Sequence, residues 1–173
     1  MSLNKFMHSR NIYRNRPDYL KMAKEYRQFG QFVKCDLSGR PNINYNDPNA
    51  LRELTKTLLK KDFGLEVDIP DNRLIPTVPQ RLNYILWIED LVTKLQKETD
   101  LVCDNKVIGI DIGTGASCIF PLLGCVKNKN WNFIANDIDK LNVEFALKNV
   151  EANNLKHRIS GKRFRNFKIK SES

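Results

Sequence analysis

A glycine-rich turn between an apolar strand and a helix constrains the fold of this chain more than any other feature. The turn reads Gly109-Ile110-Asp111-Ile112-Gly113-Thr114-Gly115-Ala116-Ser117. The apolar run over 106–111 leads into it and predicts a buried strand, as in parallel sheets covered on both faces. Glycines at such a turn permit a positive φ and let a ligand approach the backbone closely.

The elements that follow the turn predict a parallel sheet. We expect a helix over 116–126, a second strand over 131–135 and a second helix over 139–153. Strand, helix, strand and helix in this order imply right-handed crossovers. Pro121 lies inside the first of these helices, so it should bend or shorten that helix.

The residues before this sheet are predicted to be mainly helical. An irregular basic arm over 1–16 precedes helices over 18–32, 48–63 and 79–97. Asp47 and Pro48 suit the start of the middle helix, and Gly64 suits its end. In the last helix, apolar spacing predicts a stripe facing the core. Its members are Leu82, Ile85, Leu86, Ile88, Val92 and Leu95.

Positive charge is concentrated at the two ends of the 173-residue chain. Residues 1–34 hold eight basic side chains against two acidic ones, and residues 156–173 hold seven against one. This distribution indicates contact with a polyanion, unless the ends are only solvated tails. We expect neither a membrane helix nor a secretory signal, because the apolar runs are too short.

The four cysteines indicate reduced thiols in an intracellular protein. Cys35, Cys103, Cys118 and Cys125 form no Cys-x-x-Cys pair, and the chain has only two histidines. A zinc site needs closely spaced ligands of these types. We therefore expect mostly buried free thiols and no bound metal.

Two details of the turn favour S-adenosylmethionine over a dinucleotide. Cys118 stands where the dinucleotide fingerprint has its third glycine, and that fingerprint seats a pyrophosphate on the helix N-terminus. S-adenosylmethionine has no phosphate, and Asp111 suits its cationic amino group. Both details disfavour a nucleotide-dependent oxidoreductase. The alternative is that Gly113 and Gly115 only form a tight turn and bind no ligand.

An acidic residue after the second strand is a candidate for binding the ribose. Asp137 lies about 20 residues beyond the turn, where a carboxylate can accept hydrogen bonds from ribose hydroxyls. Asp139 is the expected N-cap of the helix that follows. The alternative is that Asp137 is itself the cap.

Two stretches of the chain resemble one family of enzymes. They are Ile-Pro-Thr-Val-Pro-Gln-Arg-Leu-Asn-Tyr at 75–84 and Gly-Ile-Asp-Ile-Gly-Thr-Gly-Ala-Ser-Cys-Ile-Phe-Pro-Leu-Leu-Gly at 109–124. They resemble RNA adenine-N6 methyltransferases of the methyltransferase-like-sixteen type, which modify U6 small nuclear RNA and a messenger-RNA hairpin and are related to a bacterial 23S ribosomal RNA adenine-N6 methyltransferase. We expect the likeness to end near Leu155.

The resemblance implies a class I, Rossmann-like α/β methyltransferase fold that uses S-adenosylmethionine. Residues 1–98 would form a basic arm and helical region that binds RNA and covers the cofactor pocket. Residues 99–155 would form the first half of the methyltransferase domain, with an incomplete parallel sheet, and residues 156–173 a divergent basic tail. The partner would be a U6-like or hairpin RNA, with no membrane and no metal. The protein would be a nuclear monomer, with the cytoplasm as a second location.

The resemblance also assigns individual residues. Those of the cofactor pocket are Arg81, Asp111, Gly113, Thr114, Gly115, Ser117 and Asp137. Arg81 would donate to the methionine carboxylate, unless it is only a surface arginine. The family usually has Glu at the position of Asp137. The RNA-binding residues of the arm are Lys5, Arg10, Arg14 and Arg16, whereas Ile12 departs from a basic position. Phosphate contacts of this kind give salt-dependent affinity and little base specificity.

The catalytic Asn-Pro-Pro-Phe element of the family does not occur in these 173 residues. That element holds a flipped adenine against the methyl donor. We therefore assign no catalytic residue and expect the 173-residue chain to be inactive and marginally stable. Its first strand should have an unpaired edge, and residues 156–173 should supply no third strand. The main hypothesis is an incomplete RNA adenine-N6 methyltransferase, and the alternative is a non-catalytic short form that binds RNA or cofactor.

Overall fold

The computed structural model describes residues 6–98 and 106–163. Its N-terminal part contains a 3-10 helix (Ile12–Arg14), α1 (Tyr19–Glu25), α2 (Arg27–Gly30), β1 (Lys34–Cys35), β2 (Pro41–Asn42), α3 (Pro48–Phe63) and α4 (Val78–Glu98). The sheet part contains β3 (Val107–Ile112), α5 (Ile119–Lys127), β4 (Trp131–Asp137), α6 (Lys140–Ala152) and β5 (Ile159–Arg163). None of the described helices is both long and apolar enough to cross a membrane.

The single helix expected over 18–32 is two helices. The backbone at Tyr26 is extended, with φ −120° and ψ 90°, and this separates α1 from α2. The break lets Gly30 approach the carbonyl of Ala23, where a Cβ would lie only 2.7 Å from the oxygen. This contact between two helices is tertiary, so helical periodicity could not predict the break.

Helices α3 and α4 follow the predictions closely. The Asp47 side chain accepts from the Asn49 N–H, Pro48 occupies the first turn, and Gly64 ends α3 with a left-handed φ of 66°. Helix α4 buries Leu82, Ile85 and Leu86. The predicted stripe is wrong at its far end, because Leu95 is 60% exposed.

The sheet has three parallel strands in the order β3-β4-β5. The expectation that residues 156–173 supply no third strand is therefore wrong. Ile159 is buried and begins β5 opposite Phe133 of β4. Gly161 lies under α6, where a Cβ would stand 2.6 Å from a methyl carbon of Leu147. The strand thus fits its place by packing.

Only one face of β3 is covered in the described part of the chain. The side chains of Ile108, Ile110 and Ile112 are between 65% and 75% exposed, so the prediction of a fully buried strand is wrong for this face. On the covered face Gly109 lies against the Phe133 ring, 2.5 Å from where its Cβ would be. Among the described strands β3 pairs only with β4, which agrees with the predicted open edge.

Helix α5 begins three residues later than expected. Cys118 precedes it in a left-handed conformation, with φ 51°. Pro121 therefore falls in the first helical turn, where no backbone N–H has an intrahelical partner, so it costs no hydrogen bond there.

Strand β4 runs two residues past its predicted end, to Asp137. Asp139 caps α6, as predicted, by accepting from the N–H groups of Leu141 and Asn142.

Side-chain amides of α6 join the helical part to the sheet part. The buried Asn149 side chain donates to the carbonyls of Asp68 and Ala116 (both 3.0 Å) and accepts from the Asp68 N–H (2.8 Å). One turn later, Asn153 makes the same kind of pair with the backbone of Glu66. These bonds fix the connection between α3 and α4 beside the glycine-rich turn.

Candidate functional site

The glycine-rich turn is anchored to the end of β4. The N–H groups of Gly113 and Thr114 both donate to the carbonyl of Asn136 at 2.9 Å. Gly113 and Gly115 have left-handed φ values of 76° and 65°, which L side chains rarely adopt. A Cβ on either would meet no atom within 4 Å. Conformation rather than crowding therefore requires glycine here, and the space above the turn is open.

Asp137 connects the end of β4 to the turn. It is 7% exposed; its Oδ2 accepts from the Gly115 N–H at 2.9 Å and from Asn142 Nδ2 at 3.2 Å. Its Oδ1 accepts from the Asp139 N–H at 2.9 Å. The alternative that Asp137 caps α6 is wrong, since Asp139 is the cap. The ribose contact of Asp137 stays a prediction.

Asp111, near the end of β3, carries a buried oxygen without a partner. Its Oδ2 accepts no hydrogen bond from the described residues. Burial raises the pKa of this carboxyl group above the ordinary 3.8, a hydrogen bond from Thr114 opposes the rise, and the charge of Asp137 adds to it. A cation placed beside Asp111 would offset both the desolvation of the Asp111 carboxylate and its repulsion by Asp137.

Arg81, in the second turn of α4, lies beside the beginning of α5. Its guanidinium carbon is 5.3 Å from the centroid of the Phe120 ring, and its Nε is buried without a partner. This contact places the guanidinium over the Phe120 ring, and the bond of Arg81 to the methionine carboxylate stays a prediction. Phe120 belongs to the first turn of α5, so the contact places the Arg81 guanidinium close to the glycine-rich turn.

Buried polar atoms without partners are concentrated around this edge of the sheet. Five such side-chain atoms occur in the described ranges, and four belong to Arg73, Arg81, Asp111 and Asn142. Arg73 pairs with Asp139 at 2.8 Å, and Asn142 donates to Asp137. Because nearly all buried polar groups in proteins are hydrogen-bonded, such a cluster marks a place for a polar ligand. Arg73 and Asn142 were not predicted, since no motif in the sequence singles them out.

Thr114 and Ser117, the two hydroxyl residues of the turn, differ from Gly113 and Gly115 in their exposure. Both are buried, and the Thr114 hydroxyl donates to the Cys118 sulfur at 3.5 Å. Burial raises the pKa of the Cys118 thiol to about 12, so the thiol is neutral. Cys125 is also buried and free, whereas Cys35 is free and exposed, and Cys103 lies outside the described residues. Within 6–98 and 106–163, no cluster of three metal-binding side chains is present.

The residues predicted to bind RNA differ in their environments. Arg10 donates to Glu89 at 2.7 Å, to the Leu86 carbonyl at 3.2 Å and to Asp90. Arg16 stacks on Tyr19 and donates to the Pro41 carbonyl.

Arg14 is exposed and its side chain has no partner among the described residues, whereas Lys5 lies outside them. The arm is also more ordered than predicted. Its 3-10 helix starts at an Asn11 cap, and the Asn11 amide donates to the Pro79 carbonyl of α4. Of the three arginines at 10, 14 and 16, Arg14 is thus the one whose side chain has no partner among the described residues.

A separate groove of about 550 Å³ lies between α2, α3 and α6. Three lysines line it, and each is paired with an acid: Lys56 with Glu53, Lys60 with Glu66 and Lys148 with Asp68. The charges of these lysines are thus paired within the protein, in contrast to the unpartnered atoms beside the glycine-rich turn. The chemistry of the donors and acceptors, rather than the volume of a cavity, identifies the candidate site.

Comparison with known proteins connects this site to RNA methyltransferases. A family model described as RNA methyltransferase matches residues 1–170, so the likeness extends beyond Leu155, contrary to expectation. The RNA N(6)-adenosine-methyltransferase METTL16 of Gallus gallus is 52% identical over 158 residues, which cover 90% of this chain and 27% of that protein. The U6 small nuclear RNA (adenine-(43)-N(6))-methyltransferase of Drosophila melanogaster is 43% identical over 153 residues, or 88% of this chain and 48% of that protein.

Solved structures agree with the sequence relatives. The crystal structure of the N-terminal domain of human METTL16 in complex with SAH matches with a TM-score of 0.85 and 46% identity, covering 96% of this chain and 65% of that one. The human catalytic domain in complex with the MAT2A 3'UTR hairpin 6 matches with a TM-score of 0.83 and 48% identity, covering 92% and 54%. The fold is therefore the Rossmann-like methyltransferase fold. The chain spans between 27% and 48% of the two curated relatives named above.

Proposed function

This chain belongs to the RNA methyltransferase family, and we propose that it carries the cofactor-binding part of an S-adenosylmethionine-dependent RNA adenine-N6 methyltransferase. The observation that supports the proposal is the cluster of unpartnered buried atoms around the glycine-rich turn. A cationic donor, an anionic acceptor and a neutral acceptor stand beside an open backbone turn. This set matches the three polar parts of S-adenosylmethionine.

The residues present fit the cofactor part by part. Arg81 presents an unpaired guanidinium N–H to the methionine carboxylate, and Asp111 presents an unpaired oxygen to the amino group. Asp137 stands at the end of β4, where Rossmann-like folds bind ribose. The positive φ of Gly113 and Gly115 leaves the turn free of side chains, so the ligand can lie against the backbone.

When bound, S-adenosylmethionine supplies a methyl group on a positively charged sulfur, which an adenine amine can attack in line. In this proposal the chain's own residues orient that group by holding the two ends of the methionine part and the ribose. The sequence contains no Asn-Pro-Pro-Phe element to hold the adenine amine. We therefore expect the 173-residue polypeptide to bind the cofactor without methylating RNA.

RNA is the partner we propose, on the evidence of charge and of the relatives. The chain has a net charge of +9, and Arg14 presents an exposed guanidinium with no partner among the described residues. Related structures contain the MAT2A 3'UTR hairpins 6 and 1. We propose that the RNA is U6-like or a hairpin. We also propose that the protein is a nuclear monomer without a bound metal.

Calorimetry on the purified 173-residue chain tests the cofactor part of the proposal. We expect S-adenosylhomocysteine to bind and NAD not to bind. A Gly115→Val variant should lose binding, because a β-branched side chain at φ 65° is strained and projects into the open space. Gly39→Val is the matched control, since Gly39 also has a positive φ but lies in the remote β1–β2 turn. Binding of NAD, or no binding of S-adenosylhomocysteine, would contradict the proposal.

A second candidate is binding of RNA or cofactor without catalysis, since these 173 residues contain no Asn-Pro-Pro-Phe element. Transfer of a labelled methyl group to a U6-like hairpin separates the two candidates. Methylation by the chain would exclude the non-catalytic form. Binding of both S-adenosylhomocysteine and the hairpin, with no transfer, would support it.

A further inference from the structure

The hydrogen bonds already made by Asp137 limit what it can offer to a ribose. Each carboxylate oxygen can accept about two hydrogen bonds. Oδ2 already accepts two, from the Gly115 N–H and from Asn142 Nδ2, whereas Oδ1 accepts one, from the Asp139 N–H. Asp137 therefore has room for one further donor, on Oδ1. A ribose with free 2′ and 3′ hydroxyls brings two.

A second acceptor lies directly beside Asp137. The Asn142 side chain, in the first turn of α6, is oriented by its 3.2 Å bond from Nδ2 to Asp137 Oδ2. This bond leaves the other end of the amide, Oδ1, buried and without a partner in the described residues. Its two lone pairs are unused, although buried acceptors are seldom left so.

The Asn142 acceptor is tied to the candidate site rather than to the core. Asp137 connects it to Gly115 of the turn, and Asp139, one turn before it on α6, holds Arg73. By contrast, Asn149, seven residues later on the same helix, satisfies its side chain fully through Asp68 and Ala116. On this helix, the Asn149 amide is thus fully hydrogen-bonded, whereas the Asn142 amide has an oxygen without a partner.

We propose that Asn142 Oδ1 accepts one ribose hydroxyl of the cofactor while Asp137 Oδ1 accepts the other. Asn142 is then a binding residue for the adenosine part and also a positioning residue for Asp137. The inference rests on the proposed function, because it assumes a ligand that carries a ribose. It explains why a buried acceptor is left unpartnered beside a carboxylate that is almost fully used.

The test compares Asn142→Leu with the unchanged chain by calorimetry, using S-adenosylhomocysteine and its 2′-deoxy and 3′-deoxy analogues. Leu has a similar volume and suits a helix, but it removes the hydrogen bond to Asp137 Oδ2, which still accepts from the Gly115 N–H. The Tm without ligand should therefore fall by only a few degrees. Affinity for S-adenosylhomocysteine should fall about five- to tenfold, the value of one neutral hydrogen bond. Asn142→Ala replaces Asn142→Leu if the leucine variant does not fold.

The two analogues separate a ribose contact from a general loss of structure. The unchanged chain should bind both analogues more weakly than S-adenosylhomocysteine. The Asn142→Leu variant should lose nothing further on one analogue, because the hydroxyl missing from that analogue is the one Asn142 accepts. The variant should bind the other analogue more weakly than S-adenosylhomocysteine, because that analogue lacks the hydroxyl that Asp137 accepts. Asn153→Leu removes the side-chain amide that bonds the Glu66 backbone, and this variant should bind all three ligands in the same ratios as the unchanged chain.

Each other outcome counts against the inference. If Asn142→Leu binds S-adenosylhomocysteine as well as the unchanged chain does, Asn142 makes no contact. If it loses equal affinity for all three ligands, its role is structural only. If the unchanged chain binds none of the three, the proposed function fails and the inference fails with it.

Discussion

Asp111→Asn should make the chain more stable and a poorer cofactor binder at the same time. The substitution keeps the shape of the side chain and removes the charge from a buried oxygen that has no partner. A charge buried without a partner costs more than a neutral amide in the same place. Asp111 is partly accessible and is hydrogen-bonded to Thr114, so we expect a gain of about 1 kcal/mol in the free energy of unfolding. For a domain of this size that raises the Tm by about 2–4 °C.

The same substitution removes the predicted partner of the methionine amino group. A hydrogen bond between two charged groups is worth about 1.5–3 kcal/mol, which corresponds to an increase of about 10- to 150-fold in the Kd for S-adenosylhomocysteine. Asp47→Asn is the matched control. Asp47 is the half-buried N-cap of α3, and Asn caps a helix as well as Asp does, so neither Tm nor Kd should change.

The dependence on pH gives an independent check of Asp111. Burial raises its pKa above 3.8 in the folded chain, so the folded state binds the proton more tightly than the unfolded state. The destabilising contribution is fully present above the raised pKa and disappears as the pH falls through that pKa toward 3.8. Cofactor affinity changes in the opposite sense, since a protonated Asp111 cannot neutralise the amino group. Asp111→Asn should lack the contribution of this carboxyl group to both pH dependences.

Differential scanning calorimetry and isothermal titration measure these two quantities on one protein preparation. A variant that keeps the affinity of the unchanged chain would refute the assignment of Asp111 to the amino group. A variant that unfolds several degrees lower would refute the assignment of an unpaired, costly carboxylate. The prediction therefore requires that Asp111→Asn raise both the Tm and the Kd for S-adenosylhomocysteine. If Asp111 had only a structural role, its replacement would not raise both.

Three further substitutions test the fold and the arm. Gly30→Ala places a Cβ 2.7 Å from the backbone oxygen of Ala23 and should lower the free energy of unfolding by about 1–3 kcal/mol, measured in urea. Arg14→Gln should weaken hairpin RNA binding and reduce the slope of log K against log salt by about 1, without a change in Tm. Arg10→Gln should instead lower the Tm, because it leaves Glu89, only 8% exposed, without its cation, and it should change the salt slope less than Arg14→Gln does. Equal salt slopes for the two arginine variants would contradict the assignment of Arg14.

Several parts of the site could be predicted because the signal is local. The left-handed φ of Gly113 and Gly115 follows from a turn that only glycine adopts cheaply. The caps of α3 and α6 follow from Asp47 and Asp139, whose carboxylates reach the backbone N–H groups two residues ahead. These features depend on residues within a few positions of each other, so a single sequence contains the information.

Other parts could not be predicted because they depend on distant partners. Strand β5 was not expected from its own residues, and it forms because Ile159 and Gly161 fit between β4 and α6. Arg10 looks like a phosphate ligand in the sequence, but in the structure it faces Glu89, 79 positions away. A basic residue has the same letter whether its charge is used inside the protein or outside it.

The glycine-rich turn, its flanking strands and its helix caps were thus determined by the sequence alone, since each is set by backbone conformation and near-neighbour hydrogen bonds. Only the tertiary structure decided which polar atoms at the edge of the sheet stay without partners. Asn142 belongs to no motif, and it becomes a candidate ligand contact because its bond to Asp137 leaves its side-chain oxygen buried and unpaired. Arg81 lies in the 75–84 stretch, but only the fold shows that its Nε is buried without a partner beside Phe120. Burial without a partner is a property of the assembled fold, because it depends on every element that surrounds the atom.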